Sequence, residues 1–192
     1  SMKTGLYFGS FNPIHIGHLI IANHVLNTTA CQKIWFVVSP QNPLKPNKSL
    51  LNEYHRLHLV RLATEDNKDF KVSDVEFLLP RPSYTIDTLT YLQEKYPAHE
   101  FSVIMGSDSF MNLGKWKNPD KILKHHHLIV YNRPGFQPEL PASGRITLLQ
   151  DAPLLDISAT RIRALIKERK SIRYLVPDPV LNEIELGNYY RD

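Results

Sequence analysis

The sequence predicts an α/β protein in which a doubly wound parallel sheet of about five to six strands carries helices on both faces. Short apolar runs with the length of buried strands alternate with longer segments whose apolar residues recur at helical spacing. Strands that are apolar on both faces are typical of parallel sheets. The 192 residues are enough for one domain with a substantial core.

The strands and helices can be placed in order along the chain. The runs typical of strands are residues 6–9, 34–38, 70–75, 101–105, 128–131 and a short edge strand at 146–149. Helical spacing marks residues 18–26, 52–64, 84–96, 160–167 and a last short helix at 179–185. This alternation predicts a Rossmann-like fold. We expect residues 1–192 to form a single domain, in which residues 157–192 are a small helical C-terminal part.

Composition restricts the class of protein. Hydrophobic residues at 42% and charged residues at 22% are usual for a soluble globular protein, and no apolar run approaches the ~20 residues of a membrane span. The single cysteine, Cys31, excludes an internal disulfide and suits a reducing cytoplasm. We expect no signal peptide, and we expect Ser1, which precedes Met2, to be left from a cleaved expression tag.

The net charge of +4 does not identify a partner by itself. Lysine and arginine form neither a dense block nor a stripe interleaved with aromatic residues, so no nucleic-acid partner is expected. A modest positive charge also suits an enzyme whose substrates carry several phosphates. The oligomeric state cannot be predicted from the sequence.

The segment GSFNPIHIGH, residues 9–18, has the chemistry of a phosphate-binding turn. Gly9 and Ser10 allow a tight turn directly after a strand, and Gly17 permits close approach at a helix start, where free N–H groups attract anions. His15 and His18 can both face the resulting pocket and stabilise charge on phosphate oxygens. The alternative is two half-exposed histidines at a helix cap.

Histidine-rich segments could also indicate a metal, and two such segments are present. His15 and His18 resemble half of a zinc motif, but no acidic or sulfur ligand follows nearby. Residues 125–127 are three consecutive histidines, which cannot all face one point, so we expect a helix–strand junction there. The sequence therefore predicts no protein metal site.

A second motif, ISATRIR at residues 157–163, lies near the other end of the chain. Ser158 or Thr160 can cap the helix that follows, and the same helix start can bind phosphates. Arg163, one turn inside the helix, can reach them. Alone, this string is typical of an ordinary capped basic helix.

The two motifs together resemble the HxGH and ISxTxxR signatures of the nucleotidyltransferase superfamily, with Arg163 on the final arginine. Ala159 is a mild departure, because both neighbouring hydroxyl residues remain. P-loop spacing and GxGxxG are absent. The resemblance implies transfer of a nucleotide to a phosphate.

Further segments are similar to those of the bacterial nicotinate-mononucleotide adenylyltransferases, and this resemblance covers essentially the whole chain. The matching segments are PSYTIDTL at 82–89, GSD at 106–108, KW at 115–116, RPG at 133–135 and YLVPD at 174–178. Pantetheine-phosphate and glycerol-phosphate enzymes share the HxGH motif but lack PSYTxDTL with the tryptophan. One departure is Leu44, which occupies the place of a histidine in the family's PPHK loop.

The resemblance implies a set of site residues. The residues implied for catalysis are His15, His18, Lys45 and Arg163. Those implied for ATP are Gly9, Ser10, Phe11, Gly17, Gly106, Asp108, Ser158 and Thr160. Those implied for nicotinate mononucleotide are Tyr84, Thr85 and Trp116. Mg²⁺ is expected on the ATP phosphates, carried by substrate oxygens and water rather than by a protein cage.

These roles agree with the chemistry of the side chains. Trp116 can stack on a flat nicotinate ring, and Tyr84 and Thr85 at a helix start can present N–H groups to the nicotinate carboxylate. A core tryptophan and a capping threonine are the alternatives.

The resulting hypothesis is direct in-line transfer of AMP from ATP to the 5′-phosphate of nicotinate mononucleotide, with release of pyrophosphate. Two alternatives remain. The acceptor could be nicotinamide mononucleotide or another phosphate ester, or the chain could be a nucleotide- or RNA-binding module with an inactive site.

Overall fold

The computed structural model describes residues 1–40, 49–141 and 144–192, and six strands lie within these ranges. In chain order they are β1 (Met2–Gly9), β2 (Lys33–Val38), β3 (Phe70–Ser73), β4 (His99–Gly106), β5 (His127–Tyr131) and β6 (Arg145–Leu149). They form one sheet in the order β3-β2-β1-β4-β5-β6, and every pair is parallel. The predicted parallel α/β fold is confirmed, and the strand predicted at 146–149 is an edge strand.

Seven α-helices connect or follow these strands in the described part of the chain. They are α1 (Ile16–Thr28), α2 (Glu53–Thr64), α3 (Thr85–Lys95), α4 (Ser107–Met111), α5 (Pro119–His125), α6 (Ala159–Lys167) and α7 (Asp178–Gly187). The five predicted helices are confirmed, whereas α4 and α5 were not predicted because five and seven residues are too few to show a helical period. The histidines at 125–127 span the junction of α5 and β5, as expected.

The strand predicted over residues 70–75 is too long. β3 ends at Ser73, and residues Val75–Phe77 form a 3₁₀ helix instead. The hydroxyl of Ser73 accepts a hydrogen bond from the Val75 N–H at 3.2 Å, which turns the chain away from the sheet. The apolar side chain of Val75 is buried, and burial in a 3₁₀ helix gives the same sequence signal as burial in a strand.

Each face of the sheet packs against its own set of helices. On one face, side chains such as Tyr7 and Phe36 pack in the same apolar cluster as residues of α1, α2, α6 and α7. On the other face, Leu6 and Val103 pack with residues of α3 and α5. Neighbouring residues of β1 thus point to opposite cores, as the strand period of two requires. No helix in the described ranges has the length and hydropathy of a membrane span.

The order of strands positions the site. The chain moves outward from β1 through β2 to β3, and it then returns to the other side of β1 to form β4. In open parallel sheets a crevice opens at this reversal, beyond the carboxyl ends of the strands. Gly9 pairs with Val38 at that edge, so the loops after β1 and β2 start side by side.

Candidate active site

The loop between β1 and α1 is held rigidly at the carboxyl edge of the sheet. Phe11 has a left-handed backbone, with φ of 47°, and its side chain is buried. Its ring packs so closely that a Cβ added to Gly9 would lie 3.1 Å from it. At the far end of the loop, the Ile16 N–H donates to the Leu175 carbonyl at 2.9 Å. The loop is therefore fixed from both ends before any ligand binds.

His15 and His18 stack on one another where α1 begins. Their ring centroids are 3.8 Å apart, with 26° between the ring planes. His15 is the N-cap residue, and its backbone N–H donates to Nδ1 of His18 at 3.1 Å. A Cβ added to Gly17 would lie 2.8 Å from Cε1 of His15. The glycine between the two histidines thus leaves room for the His15 ring to fold over the helix start.

Burial keeps both imidazoles neutral. Burial and, secondarily, the nearby Arg133 lower the pKa of His15 to about 4. The pKa of His18 is also well below its usual range, because of burial first and then of the charges of His15 and Arg133. Since Nδ1 of His18 accepts a hydrogen bond, the proton of the neutral ring must be on Nε2, where it can be donated. Nδ1 of His15 is buried without a partner among the described residues.

The ISATRIR segment lies beside this loop, so the two motifs meet although they are far apart in sequence. Ser158 caps α6, its hydroxyl accepting from the Arg161 N–H at 3.1 Å. Arg163 donates from Nη1 to the Asn12 carbonyl at 2.8 Å, and its Nη2 lies 3.4 Å from Oγ1 of Thr160. The guanidinium is thus fixed next to the loop between β1 and α1; the contact with ATP that the resemblance implies for Arg163 stays a prediction.

An open cleft of about 300 Å³ lies at the same edge of the sheet. The predicted residues that line it are Gly9, Ser10, Tyr84, Thr85, Asp108 and Trp116. Gly9, Ser10 and Asp108 belong to the group predicted for ATP, and the other three belong to the group predicted for the acceptor. The histidine pair, Arg163 and the remaining residues predicted for ATP are not among those that line this cleft. Thr85 is the first residue of α3, as expected. Trp116 is half-buried and packs against the core on the side of α3, so it is partly a core residue as well.

A cation beside Tyr84 was not predicted. Nζ of Lys117 lies 5.0 Å from the centre of the Tyr84 ring and 2.9 Å from the carboxylate of Asp87, and Lys117 also lines the cleft. Asp87 thus holds this lysine near the acceptor residues.

A larger cavity, of about 430 Å³, lies at the opposite, amino-terminal edge of the strands. Cys31, His127 and Arg145 are among its lining residues, but none of the predicted site residues is. Ligands in open parallel sheets bind beyond the carboxyl ends, so the smaller cleft is the better candidate.

Gly106 ends β4 on the other side of the crevice, and Asp108 lies in α4, which follows directly. A Cβ added to Gly106 would lie 2.5 Å from Oδ1 of Asp108, so the carboxylate folds back over the glycine. Nη1 of Arg133 lies 3.6 Å from this carboxylate, and the Arg133 N–H donates to Oγ of Ser107 at 2.7 Å. Arg133 therefore lies beside the cleft residue Asp108, and its charge also lowers the pKa of both histidines. The RPG segment at residues 133–135 resembles a segment of the family, but no role was predicted for Arg133 from the sequence.

Two further side chains at the site have no sequence signal. Arg56 of α2 and Glu76, which follows β3, are buried close to the crevice. Nothing in a helical period or a short 3₁₀ turn distinguishes them from solvent-exposed charges. Lys45 and Leu44, by contrast, lie outside the described residues, so the role implied for Lys45 stays a prediction.

Fold and site together define a nucleotidyltransferase, and comparison with known proteins agrees. A sequence profile of the cytidylyltransferase-like family matches residues 6–165. The chain is 51% identical to a protein of Cytophaga hutchinsonii named probable nicotinate-nucleotide adenylyltransferase, with 98% of each chain covered. It is 50% identical to the protein of the same name from Flavobacterium johnsoniae, over 99% of this chain and 100% of that one.

The chain belongs to the nicotinate-nucleotide adenylyltransferase family. Among solved structures it resembles the Plasmodium falciparum nicotinic acid mononucleotide adenylyltransferase complexed with NaAD, with a TM-score of 0.81. That likeness covers 99% of this chain and 98% of the other at 20% identity, and it supports the fold.

Proposed function

We propose that this enzyme transfers AMP from ATP to the 5′-phosphate of nicotinate mononucleotide, giving nicotinate adenine dinucleotide and pyrophosphate. One observation carries the proposal. The neutral histidine pair stands at the end of the loop that follows β1, and Arg163 bonds the same loop at Asn12. The first residues of that loop, Gly9 and Ser10, line the same cleft as Tyr84, Thr85 and Trp116. A donor of AMP and a flat, acidic acceptor can therefore bind side by side.

The chemistry is an in-line displacement. A phosphate oxygen of the acceptor forms a bond to the α-phosphorus of ATP while the bond to the pyrophosphate oxygen breaks. The acceptor is already an anionic nucleophile, so no covalent enzyme intermediate is needed. The protein contributes positioning and charge stabilisation. The Nε2–H of His18 donates to an α-phosphate oxygen, and His15 also stabilises charge on this phosphate. Arg163 and Lys45 balance the charge of the leaving pyrophosphate.

Recognition of the acceptor relies on α3 and the tryptophan. The first N–H groups of a helix have no partner within the helix, and the helix dipole favours an anion there. The start of α3 at Thr85 therefore suits the nicotinate carboxylate better than an uncharged amide. Trp116 offers a ring face to the pyridine, an interaction of about 1 kcal/mol beyond area burial.

We propose that Mg²⁺ accompanies ATP and neutralises charge on its phosphates. The described residues contain no cluster of three or more His, Cys, Asp or Glu side chains placed to hold a metal. We expect the ion to be carried by phosphate oxygens and water rather than by the protein. Asp108, half-buried at the cleft, is the side chain that we expect to meet a substrate ribose or the water shell of the ion.

We also propose that the enzyme works in the cytoplasm. The one cysteine of the sequence, Cys31, is a buried free thiol. Burial raises the pKa of this thiol, so it is poorly reactive, and its surroundings are those of a small apolar core residue.

Release of pyrophosphate from ATP and Mg²⁺ tests the function, with nicotinate mononucleotide and nicotinamide mononucleotide compared as acceptors. We expect kcat/KM to be at least about 10-fold higher with the nicotinate, which corresponds to one charge-assisted hydrogen bond at the start of α3. Equal or better turnover with the nicotinamide would reassign the acceptor. Salt-dependent RNA binding without any pyrophosphate release would favour an inactive binding module.

A further inference from the structure

Two charged side chains that the proposed chemistry does not use are almost completely buried. Arg56 is 0% exposed and Glu76 is 2% exposed. Burial of a charge is costly unless its polar atoms are hydrogen-bonded. The partners of these two side chains therefore indicate what they do.

Arg56 bonds backbone carbonyls from three separate segments. Its Nε donates to Leu51 at 2.6 Å, and its Nη1 donates to Ser10 at 2.6 Å and to Ser39 at 2.7 Å. Its Nη2 donates to Pro40 at 3.0 Å. Burial lowers the pKa of Arg56 to about 10, so the guanidinium keeps its charge at neutral pH. One planar group thus joins the loop after β1, the loop after β2 and the segment that leads into α2.

Glu76 joins the end of β2 to α3. Its Oε1 accepts from the hydroxyl of Ser39 at 3.0 Å, and its Oε2 accepts from the hydroxyl of Thr88 at 2.7 Å. Burial raises the pKa of this carboxyl, and the two hydroxyl groups partly oppose that rise. Glu76 also lines the cleft together with Tyr84 and Thr85. Glu76 therefore links the first turns of α3, the helix proposed to bind the acceptor, to the residue that follows β2.

The two networks meet at Ser39, the residue after β2. Its N–H donates to the Gly9 carbonyl at 2.9 Å. Its carbonyl accepts from Arg56, and its hydroxyl donates to Glu76. Each polar group of Ser39 is thus used, and a continuous chain of hydrogen bonds runs from the loop of the first motif to α3.

We propose that Arg56, Ser39 and Glu76 are positioning residues. They fix the distance between the loop after β1, residues 10–15, where ATP is proposed to bind, and α3, where the acceptor is proposed to bind. The inference rests on the proposed function, because it requires two substrates bound on either side of Ser39. In-line transfer needs the reacting atoms about 3 to 3.5 Å apart, and a displacement of about 1 Å can cost roughly 100-fold in rate. A rigid link between the two binding segments meets that requirement.

Two conservative substitutions and one control distinguish a positioning role from a contribution to stability alone. Glu76→Gln keeps the shape of the side chain and is expected to raise KM for nicotinate mononucleotide about 5- to 10-fold, with little change in KM for ATP. Arg56→Lys cannot reach all four carbonyls and is expected to raise KM for ATP by a similar factor. Both are expected to lower kcat roughly 10- to 100-fold. Arg61→Lys, on the exposed side of the same helix, is the control.

Ser39→Ala supplies the decisive measurement, because it removes the bond to Glu76 and keeps the carbonyl that Arg56 uses. If the two residues act through this bond, the loss of kcat/KM in the Ser39→Ala/Glu76→Gln double variant is well below the product of the single losses. Both changes are small enough to preserve folding even where Arg56→Lys does not.

Variants that lower the unfolding midpoint while leaving kcat and both KM values within about twofold would overturn the inference, as would fully multiplicative losses. An inactive wild type would instead overturn the proposed function, so the two failures are distinguishable.

Discussion

Burial controls the charge of the two active-site histidines. A histidine in water is partly protonated near neutral pH, whereas His15 and His18 are held neutral by their surroundings. A neutral ring has one N–H, and in His18 the backbone of His15 occupies the other nitrogen. The donor on Nε2 is therefore oriented before any substrate binds, which is the kind of preorganisation that stabilises a developing charge.

Replacement of His18 by alanine is expected to lower kcat about 100- to 1,000-fold, the usual cost of removing one aligned donor at a developing charge. Loss of the bond to the His15 N–H should reduce stability by only about 1 kcal/mol. Steady-state release of pyrophosphate and denaturant unfolding measure the two effects. His125→Ala, an exposed histidine outside the crevice, is the control. Near-normal turnover of His18→Ala would remove His18 from the catalytic group.

The pKa of His15 predicts a loss of stability in acid. Its folded pKa, about 4, lies below the usual value near 6.5, so between these values the unfolded chain binds the extra proton. The stability that His15 contributes is complete above pH 6.5 and is lost as the pH falls toward 4. From pH 7 to 4.5 the wild type should lose about 2 kcal/mol more unfolding free energy than His15→Asn. Urea unfolding at both pH values tests this, and equal losses would contradict a neutral buried ring.

The sequence reveals a residue's role when its partners are close in the chain or when it belongs to a recognisable motif. His15, Gly17 and His18 satisfy both conditions, and the structure places them together at the start of α1. Arg56 and Glu76 satisfy neither. Their partners are up to 46 residues away and include backbone carbonyls, which any residue type provides. Buried polar contacts of this kind have no periodicity, so the three-dimensional structure was needed to find them.

Elements in this protein begin at residues that also face the site. α1 starts at the histidine pair, α3 starts at Thr85 and α6 starts at Ser158. Each start brings backbone N–H groups to the carboxyl edge of the sheet, and helix starts of this kind favour phosphates and carboxylates. The long elements could be predicted because they repeat their apolar pattern over several turns. The short helix α4 could not, because one turn contains no repeat.

Ser158→Ala is expected to destabilise the protein by about 1 kcal/mol and to raise KM for ATP, because the cap fixes the start of α6. Ser171→Ala is a matched control. Its hydroxyl accepts from the Arg173 N–H at 3.1 Å, the same kind of bond in the turn that follows α6. Thermal unfolding and ATP titrations distinguish the two. A similar change of KM in both variants would show that the α6 cap has no specific role in ATP binding.

At the scale of the whole molecule, the strand order sets where two substrates can meet. β1 lies inside the sheet, between β2 and β4, so its loop has neighbours on both sides. The histidines lie at the start of α1, after β1. Ser39 directly follows β2, and Asp108 lies in α4, which directly follows β4. The loops that form the crevice are brought together only because the sheet aligns the carboxyl ends of its strands.

Binding of either substrate should stabilise the fold by mass action. At 100 times Kd, a ligand adds about 2.7 kcal/mol, which raises Tm by roughly 5 to 10 °C for a domain of this size. In Trp116→Ala, the shift with nicotinate mononucleotide should shrink while the shift with ATP is retained. Thermal scans with each ligand alone give the answer. Loss of the Tm shift with ATP in this variant would contradict the proposal that Trp116 binds only the acceptor.

The bond from Arg163 to Asn12 spans 151 residues of sequence, and it has a consequence for biosynthesis. At about 5 to 20 residues per second, a ribosome needs roughly 8 to 30 seconds to extend the chain over that distance. During this interval the histidine loop has been made but lacks its arginine. If Arg163 has the role proposed for it, we expect an unfinished chain to be unable to use ATP, and turnover to begin only when the C-terminal helices have packed against the sheet.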